Sequence, residues 1–315
     1  MRLLFLADVH GSLAVLRKSL RAVKQHAANV LVIAGDLCGK EMLAIVKKAD
    51  GTYYTSFRGR RRDFSALGIE VVERDAQEFG QYCFRCQESE IEGLRANADN
   101  ISQMFVSKIV DRLESWKETI ASELDLKRVA VFITPGNDDP IEINETLKSF
   151  EGAGILCNLD GYCRLGRNSI ITLDYTPPTP WHTPREAEES VLARMIRAKV
   201  SRLPDPGHGI FNFHCPPART MIDLAPELDD NLRPVLSVDG QNRIHVGSEA
   251  VRTAIEEFQP VLGLHGHVHE AAGEESLGRT VCLNPGSEYW NGVLHAYLVD
   301  LDEDGSLTSC HPIEG

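Results

Sequence analysis

Five short apolar runs in this chain each stop abruptly at Asp, Asn or His, and nothing else restricts its folding as much. Leu3 to Ala7 runs into Asp8 and His10, and Val30 to Ala34 into Gly35 and Asp36. Val129 to Thr134 meets Gly136 and Asn137, Ile210 to Phe213 meets His214, and Val261 to Leu264 meets His265, Gly266 and His267. β-rich runs of this length suit strands buried on both faces. Between them, Leu13 to Ala27, Ile141 to Phe150 and Ser248 to Phe258 have the amphipathic spacing of helices. Strands alternating with helices predict an α/β layered fold. Ligands of such sheets gather beyond the carboxyl ends of the strands, so five polar strand ends predict one shared site.

The residue types at those ends are metal donors. Asp8 and His10 lie two apart, so on a continuing strand both would face the same side, and His267 and His269 repeat that spacing. Carboxylate, amide oxygen and imidazole together suit Mn, Fe, Zn or Co better than Mg or Ca alone. One carboxylate shared by two cations would hold them roughly 3.5–4 Å apart, the spacing of two-metal hydrolytic sites. A single D-x-H or H-x-H is more often a surface loop or a hydrogen-bonded core His. Five such ends in order are hard to obtain by chance.

Composition narrows the partners. A chain of 315 residues with 43% hydrophobic content can bury a substantial core. The net charge of −13 tells against a broad nucleic-acid-binding face. It leaves room for a small phosphate ester or nucleotide, since bound cations reverse the field inside a pocket. Eight scattered cysteines read as reduced thiols. The short apolar start meets Asp8 and His10 too soon for a signal peptide, and no run approaches the roughly 20 apolar residues of a membrane span. A cytoplasmic setting without membrane contact is expected; oligomeric state is not legible.

With these residues in view, the sequence resembles the calcineurin-like metallophosphoesterases, close to Icc-related predicted phosphoesterases. The matching blocks are Asp8-Val9-His10, Gly35-Asp36, Gly136-Asn137-Asp138-Asp139, His214, Gly266-His267-Val268-His269 and Asn284-Pro285-Gly286-Ser287. The resemblance covers nearly the whole chain. It implies a four-layer αββα sandwich, two mixed β-sheets packed together with helices on both outer faces. It also implies that Asp8, His10, Asp36 and His269 hold one divalent metal, and that Asp36, Asn137, His214 and His267 hold another, with Mn foremost. A hydroxide bridging two such cations would attack phosphorus in line. Phosphodiesters are the expected substrates ahead of monoesters. A nuclease or nucleotide-polyphosphate hydrolase, and a non-catalytic metal-bearing scaffold, are the alternatives.

One position departs from the family pattern. Where relatives commonly carry a His that assists the leaving oxygen, this chain has Asp138. It can act as a general acid only if burial or a neighbouring carboxylate such as Asp139 raises its pKa, and adjacent cations oppose that. Otherwise it binds water or the partners of a ligand. Gly11 either brings backbone close to a phosphate or makes an ordinary turn.

Two stretches interrupt the strand–helix rhythm. Residues 51–127 predict a helical or cap insertion, with a basic patch at Arg58, Arg60, Arg61 and Arg62 that reads as a solvated loop. Residues 174–206, stiffened by Pro177, Pro178, Pro180 and Pro184, predict a loop bordering the site, in which Trp181 packs. Cys83 and Cys86 have the spacing of half a zinc site, but no second pair accompanies them. His265 reads as a packed His behind the site.

Overall fold

The computed structural model describes the chain except residues 58, 238 and 239 and the side chains at 95 and 237. Two six-stranded sheets form its centre. Across the first lie Leu307–Glu314, His295–Leu301, Arg2–Ala7, Val30–Ala34, Ala130–Thr134 and Ile155–Leu156. The last four of these are mutually parallel, and the first two add antiparallel strands at one edge. Across the second lie Gly273–Leu277, Thr280–Asn284, Leu262–Leu264, Gly209–Phe213, Asn168–Leu173 and Tyr162–Leu165, four parallel strands with an antiparallel strand at each edge.

Period-2 alternation assigns the layers. Leu3, Phe5, Val30, Val32 and Phe132 face Ile210, Leu262, Leu264 and Leu283 between the sheets. The alternate residues Leu4, Leu6, Leu31, Ile33, Val131 and Ile133 face outward, under helices that contribute Leu16, Leu20, Leu113 and Trp116. On the opposite side Ile171, Leu173, Phe211 and Phe213 pack against Leu192, Ile196, Val251 and Ile255. This is a four-layer αββα sandwich. Because both faces of the central strands are covered, they read as unbroken apolar runs. Helix Leu13–Gln25 begins where the Ser12 hydroxyl accepts from Val15 N–H, and helix Glu249–Phe258 where Ser248 accepts from Val251 N–H. Among the described residues no helix is long and apolar enough to cross a membrane.

The first excursion is not simply helical. It begins earlier than expected, at Met42, and forms a four-stranded sheet in the order Arg60–Phe64, Tyr53–Phe57, Met42–Lys47, Tyr82–Gln87, followed by the long helix Ala98–Glu123. The sheet escaped sequence reading because Arg60–Phe64 is an exposed edge strand with no apolar periodicity. Arg60, Arg61 and Arg62 therefore lie on a strand rather than a loop, Arg61 stacked 3.7 Å over Tyr54; Arg58 lies outside the described residues. Cys83 and Cys86 sit three apart on one strand and so point to opposite faces, which removes the half-site reading. All eight cysteines are free thiols.

Phe132 is fully buried between the two sheets. Phe132→Ala should cost about 3–5 kcal/mol, read as a lower urea midpoint for unfolding. An unchanged midpoint would contradict this account of the core.

Candidate metal centre

The five strand ends do converge, but by turns rather than by strand continuation. Asp8 (φ 55°), His10 (φ 42°), Asp36 (φ 44°) and His267 (φ 68°) all occupy left-handed backbone. Such positions cost of order 1–3 kcal/mol each for non-glycine residues and gather at functional sites. The strand stops at Ala7, so Asp8 and His10 do not continue it, and the strand-end turn aims both side chains. Parallel loop hydrogen bonds hold that turn, with His10 N–H donating to Asp36 O (2.9 Å) and Gly11 N–H to Leu37 O (2.7 Å). Gly11's amide is thus committed to the turn and is not offered to a phosphate.

The glycines preceding the donors have a common cause. A Cβ on Gly35 would lie 1.8 Å from His214 Nδ1, one on Gly136 2.4 Å from Asp36 Oδ1, and one on Gly266 2.4 Å from Asp8 Oδ2. Each glycine makes room for a donor arriving from another strand. The Gly-Asp, Gly-Asn and Gly-His pairs are therefore one packing constraint written three times.

Two sets of donor atoms result. Asp8, His10, Asp36 and His269 each offer one ligand atom, all within 4.8 Å of one another, an arrangement that could hold a metal ion. His10 Nδ1 faces Cys38 O at 3.2 Å, which places its proton there and leaves Nε2 as a lone pair, 3.1 Å from His269 Nε2. In the second set Asn137 Oδ1 lies 3.0 Å from His214 Nε2 and 2.8 Å from His267 Nδ1. The Asn137 amide donates to Thr183 Oγ1 (2.9 Å) and Asp138 Oδ1 (3.2 Å), so its oxygen is the atom turned inward. Asp36 belongs to both sets. Its Oδ1 is 3.4 Å from His214 Nε2, its Oδ2 3.7 Å from His10 Nε2, and Asp138 N–H donates to Oδ1 at 2.9 Å. Converging acceptors with few protons among them are the chemistry of a cation site, so the residues fit one.

Charge confirms the direction of that pull. Burial, then the Lys40 cation, lower His10 to about 3, and burial followed by the charge of His214 lowers His267 to about 4, leaving both rings neutral. His214 is the exception: burial opposes its charge, yet Asp36 and then Asp8 raise it to about 9. Asp36 is itself held well below its ordinary range, burial being outweighed by His214 and His10.

Several residues that are not themselves donors hold this geometry. Asp139 is fully buried and accepts from Leu37 N–H (2.9 Å), Cys38 N–H (2.8 Å) and Gly136 N–H (2.8 Å), tying the Asp36 loop to the Asn137 loop. It is therefore a clamp rather than only a neighbour of Asp138. Arg185, buried in the proline-rich excursion, donates to Asp139 O, Pro140 O, Asn144 Oδ1 and Asp174 Oδ2. Arg112 on the long helix donates to Gly11 O at 2.6 Å. Ser287 explains the Asn-Pro-Gly-Ser turn, its hydroxyl donating to Asp8 O at 2.7 Å. Tyr289 lies against His10 (centroids 4.5 Å apart) and Trp290 against His269 (6.1 Å), an aromatic wall just past that motif. Trp181 is 59% exposed, so it does not pack within its loop as expected.

Asp138 stands at the edge of the centre. Burial and Asp36 raise its carboxyl to about 6 against the opposing charge of Lys40, whose Nζ is 2.5 Å from Oδ2. His265 lies behind the donors, Nδ1 2.7 Å from Phe213 O and 3.1 Å from Cys215 O, and burial lowers it to about 4.

No protein-family model matches the chain. An uncharacterized protein of Methanocaldococcus jannaschii, MJ1162, is 31% identical over 160 residues, which span 49% of this chain and 63% of that relative's length. One solved crystal structure aligns at a TM-score of 0.59 with 16% identity, covering 99% of this chain and 98% of its own. The crystal structure of TT1561 of Thermus thermophilus aligns at 0.54 with 14% identity, covering 100% and 97%. At these identities the likeness to the solved structures is one of fold.

His265 supplies a pH test. Its pKa falls from 6.5 unfolded to about 4 folded, so the unfolded chain binds the extra proton first as pH drops. Stability from the neutral ring is complete above about 6.5 and is lost as pH falls through about 4, by at most about 3 kcal/mol. Urea unfolding of metal-free protein should show that decline, and His265→Asn should make it shallower. An unchanged slope in the variant would remove His265 from the account. Fold and ordered strand-end motifs together agree with the resemblance to the calcineurin-like metallophosphoesterases.

Proposed function

We propose that the chain is a metal-dependent phosphoester hydrolase that prefers phosphodiesters to monoesters. The observation that carries the reading is Asp36, whose two oxygens face two separate donor sets. Asp8, His10, Asp36 and His269 would hold one divalent cation, and Asp36, Asn137, His214 and His267 a second. Mn is the first choice, and Fe, Zn or Co would be accepted by the same atoms. When bound, such a pair supplies an activated nucleophile near neutral pH and offsets charge on the phosphoryl oxygens.

The rest of the chemistry belongs to the chain. Asp138 N–H fixes the Asp36 carboxylate, and Thr183 turns the Asn137 oxygen inward. His10 and His267 present neutral rings, so no proton must leave them before a cation arrives. The diester preference rests on the resemblance, with Asp138 standing where relatives commonly carry a His. A small phosphate ester or nucleotide fits the acidic chain better than an extended nucleic acid. Eight free thiols suit a reducing, cytoplasmic setting.

The test uses metal-stripped protein reconstituted with Mn, assayed on bis(p-nitrophenyl) phosphate and on p-nitrophenyl phosphate. Metal-dependent turnover, faster on the diester, is expected, with Asp36→Asn lowering it by at least roughly 10³-fold. Protein that carries two metals per chain and turns over neither ester would contradict the proposal.

A further inference from the structure

Lys40 follows the Asp36 loop by four residues and carries no motif signature. Its ammonium nevertheless ends at the metal centre. Nζ lies 2.5 Å from Asp138 Oδ2, and Asp138 is the residue whose N–H holds Asp36 Oδ1. The charge of Lys40 is felt by Asp36, His10 and His269, three of the four donors of one set, and by Tyr289 in the aromatic wall beside it. The Lys40 side chain is exposed while Asp8, His10 and Asp36 are buried, so the ammonium is open to solvent at the edge of the centre. An ammonium has three N–H donors. Among the described residues the one ion-pair partner of Lys40 is Asp138, which leaves donors for an incoming anion. Arg185 is no substitute, since its guanidinium is spent on Asp139, Pro140, Asn144 and Asp174.

Resting on the phosphoesterase reading, we propose that Lys40 is a catalytic residue, its ammonium touching an oxygen of the phosphoryl group, and that Asp138 is the positioning residue that aims it. The ion pair does two things. It holds a flexible four-carbon side chain over the centre before substrate arrives, which lowers the entropy lost on binding. It also keeps a fixed positive charge where negative charge develops on the phosphoryl and leaving oxygens. No proton need move from Lys40 for this role.

The test compares wild type, Lys40→Met, Lys40→Arg and Asp138→Asn, each loaded with Mn and each checked for metal content. Inorganic phosphate binding to the loaded protein is read by calorimetry, beside kcat/KM on the p-nitrophenyl diester. Lys40→Met should keep wild-type metal content, bind phosphate at least roughly 10-fold more weakly and lose on the order of 10²-fold in kcat/KM. Lys40→Arg should recover part of both losses, because the charge returns with a different head shape. Asp138→Asn should weaken phosphate binding less than Lys40→Met does. Phosphate affinity and kcat/KM in Lys40→Met within about threefold of wild type would overturn the inference while leaving an active wild type as a phosphoesterase. An inactive, metal-loaded wild type would overturn the phosphoesterase reading, and the catalytic role of Lys40 with it.

Discussion

Two carboxylates, Asp8 and Asp36, are buried together at the seam where the two sheets meet, and the surrounding structure is arranged to tolerate them. Unpaired, either would be a large desolvation cost. Asp8 accepts from the backbone N–H of His267 at 3.0–3.1 Å, a bond that ties the end of a first-sheet strand to the end of a second-sheet strand. Asp36 is met by Asp138 N–H and by the charged His214 ring. Inside these carboxylates, Asn137, His10 and His267 turn polar atoms inward that meet one another and His214 and His269. A fold whose only purpose was stability would fill that seam with apolar side chains, as it does a few residues deeper at Phe5, Phe132 and Leu264. The polar seam is therefore the cost of the site, met by the large apolar core behind it.

Preorganisation follows from the same constraint. The donors sit on left-handed turns that would relax if the loops were free. Asp139, Arg185 and Arg112 keep them in place by consuming backbone groups of neighbouring loops. The two excursions are thus more than coverings. The long helix of the first reaches under His10 through Arg112, and the proline-rich loop reaches Asn137 through Thr183 and Arg185. Placing a binding constellation on strand ends and bracing it from independent elements gives the precision that a binding site demands.

Much of this was legible in the residues because its causes are local. A parallel strand covered on both faces must be apolar throughout, and it must end in something polar where it meets solvent or a ligand. That rule alone marks Asp8, Asp36, Asn137, His214 and His267. The glycines before them were visible as motif letters, but their reason, a Cβ colliding with a donor from a different strand, exists only in three dimensions. Lys40, Thr183 and Arg185 act through contacts between loops far apart in sequence, so no spacing announces them, and the clamp that Asp139 makes on Leu37 and Cys38 shows only in three dimensions. The sheet in the first excursion was hidden for a different reason. Its edge strand Arg60–Phe64 is polar and exposed, which erases the alternation by which strands are read.

Crystals grown with Mn test whether Asp36 is shared by two cations, as proposed. Anomalous difference density should contain two peaks roughly 3.5–4 Å apart, one bound by each Asp36 oxygen. The peak on the His10 side should also contact Asp8 and His269, and the other should contact Asn137, His214 and His267. A single peak, or a pair of peaks with Asp36 bound to only one, would contradict the account.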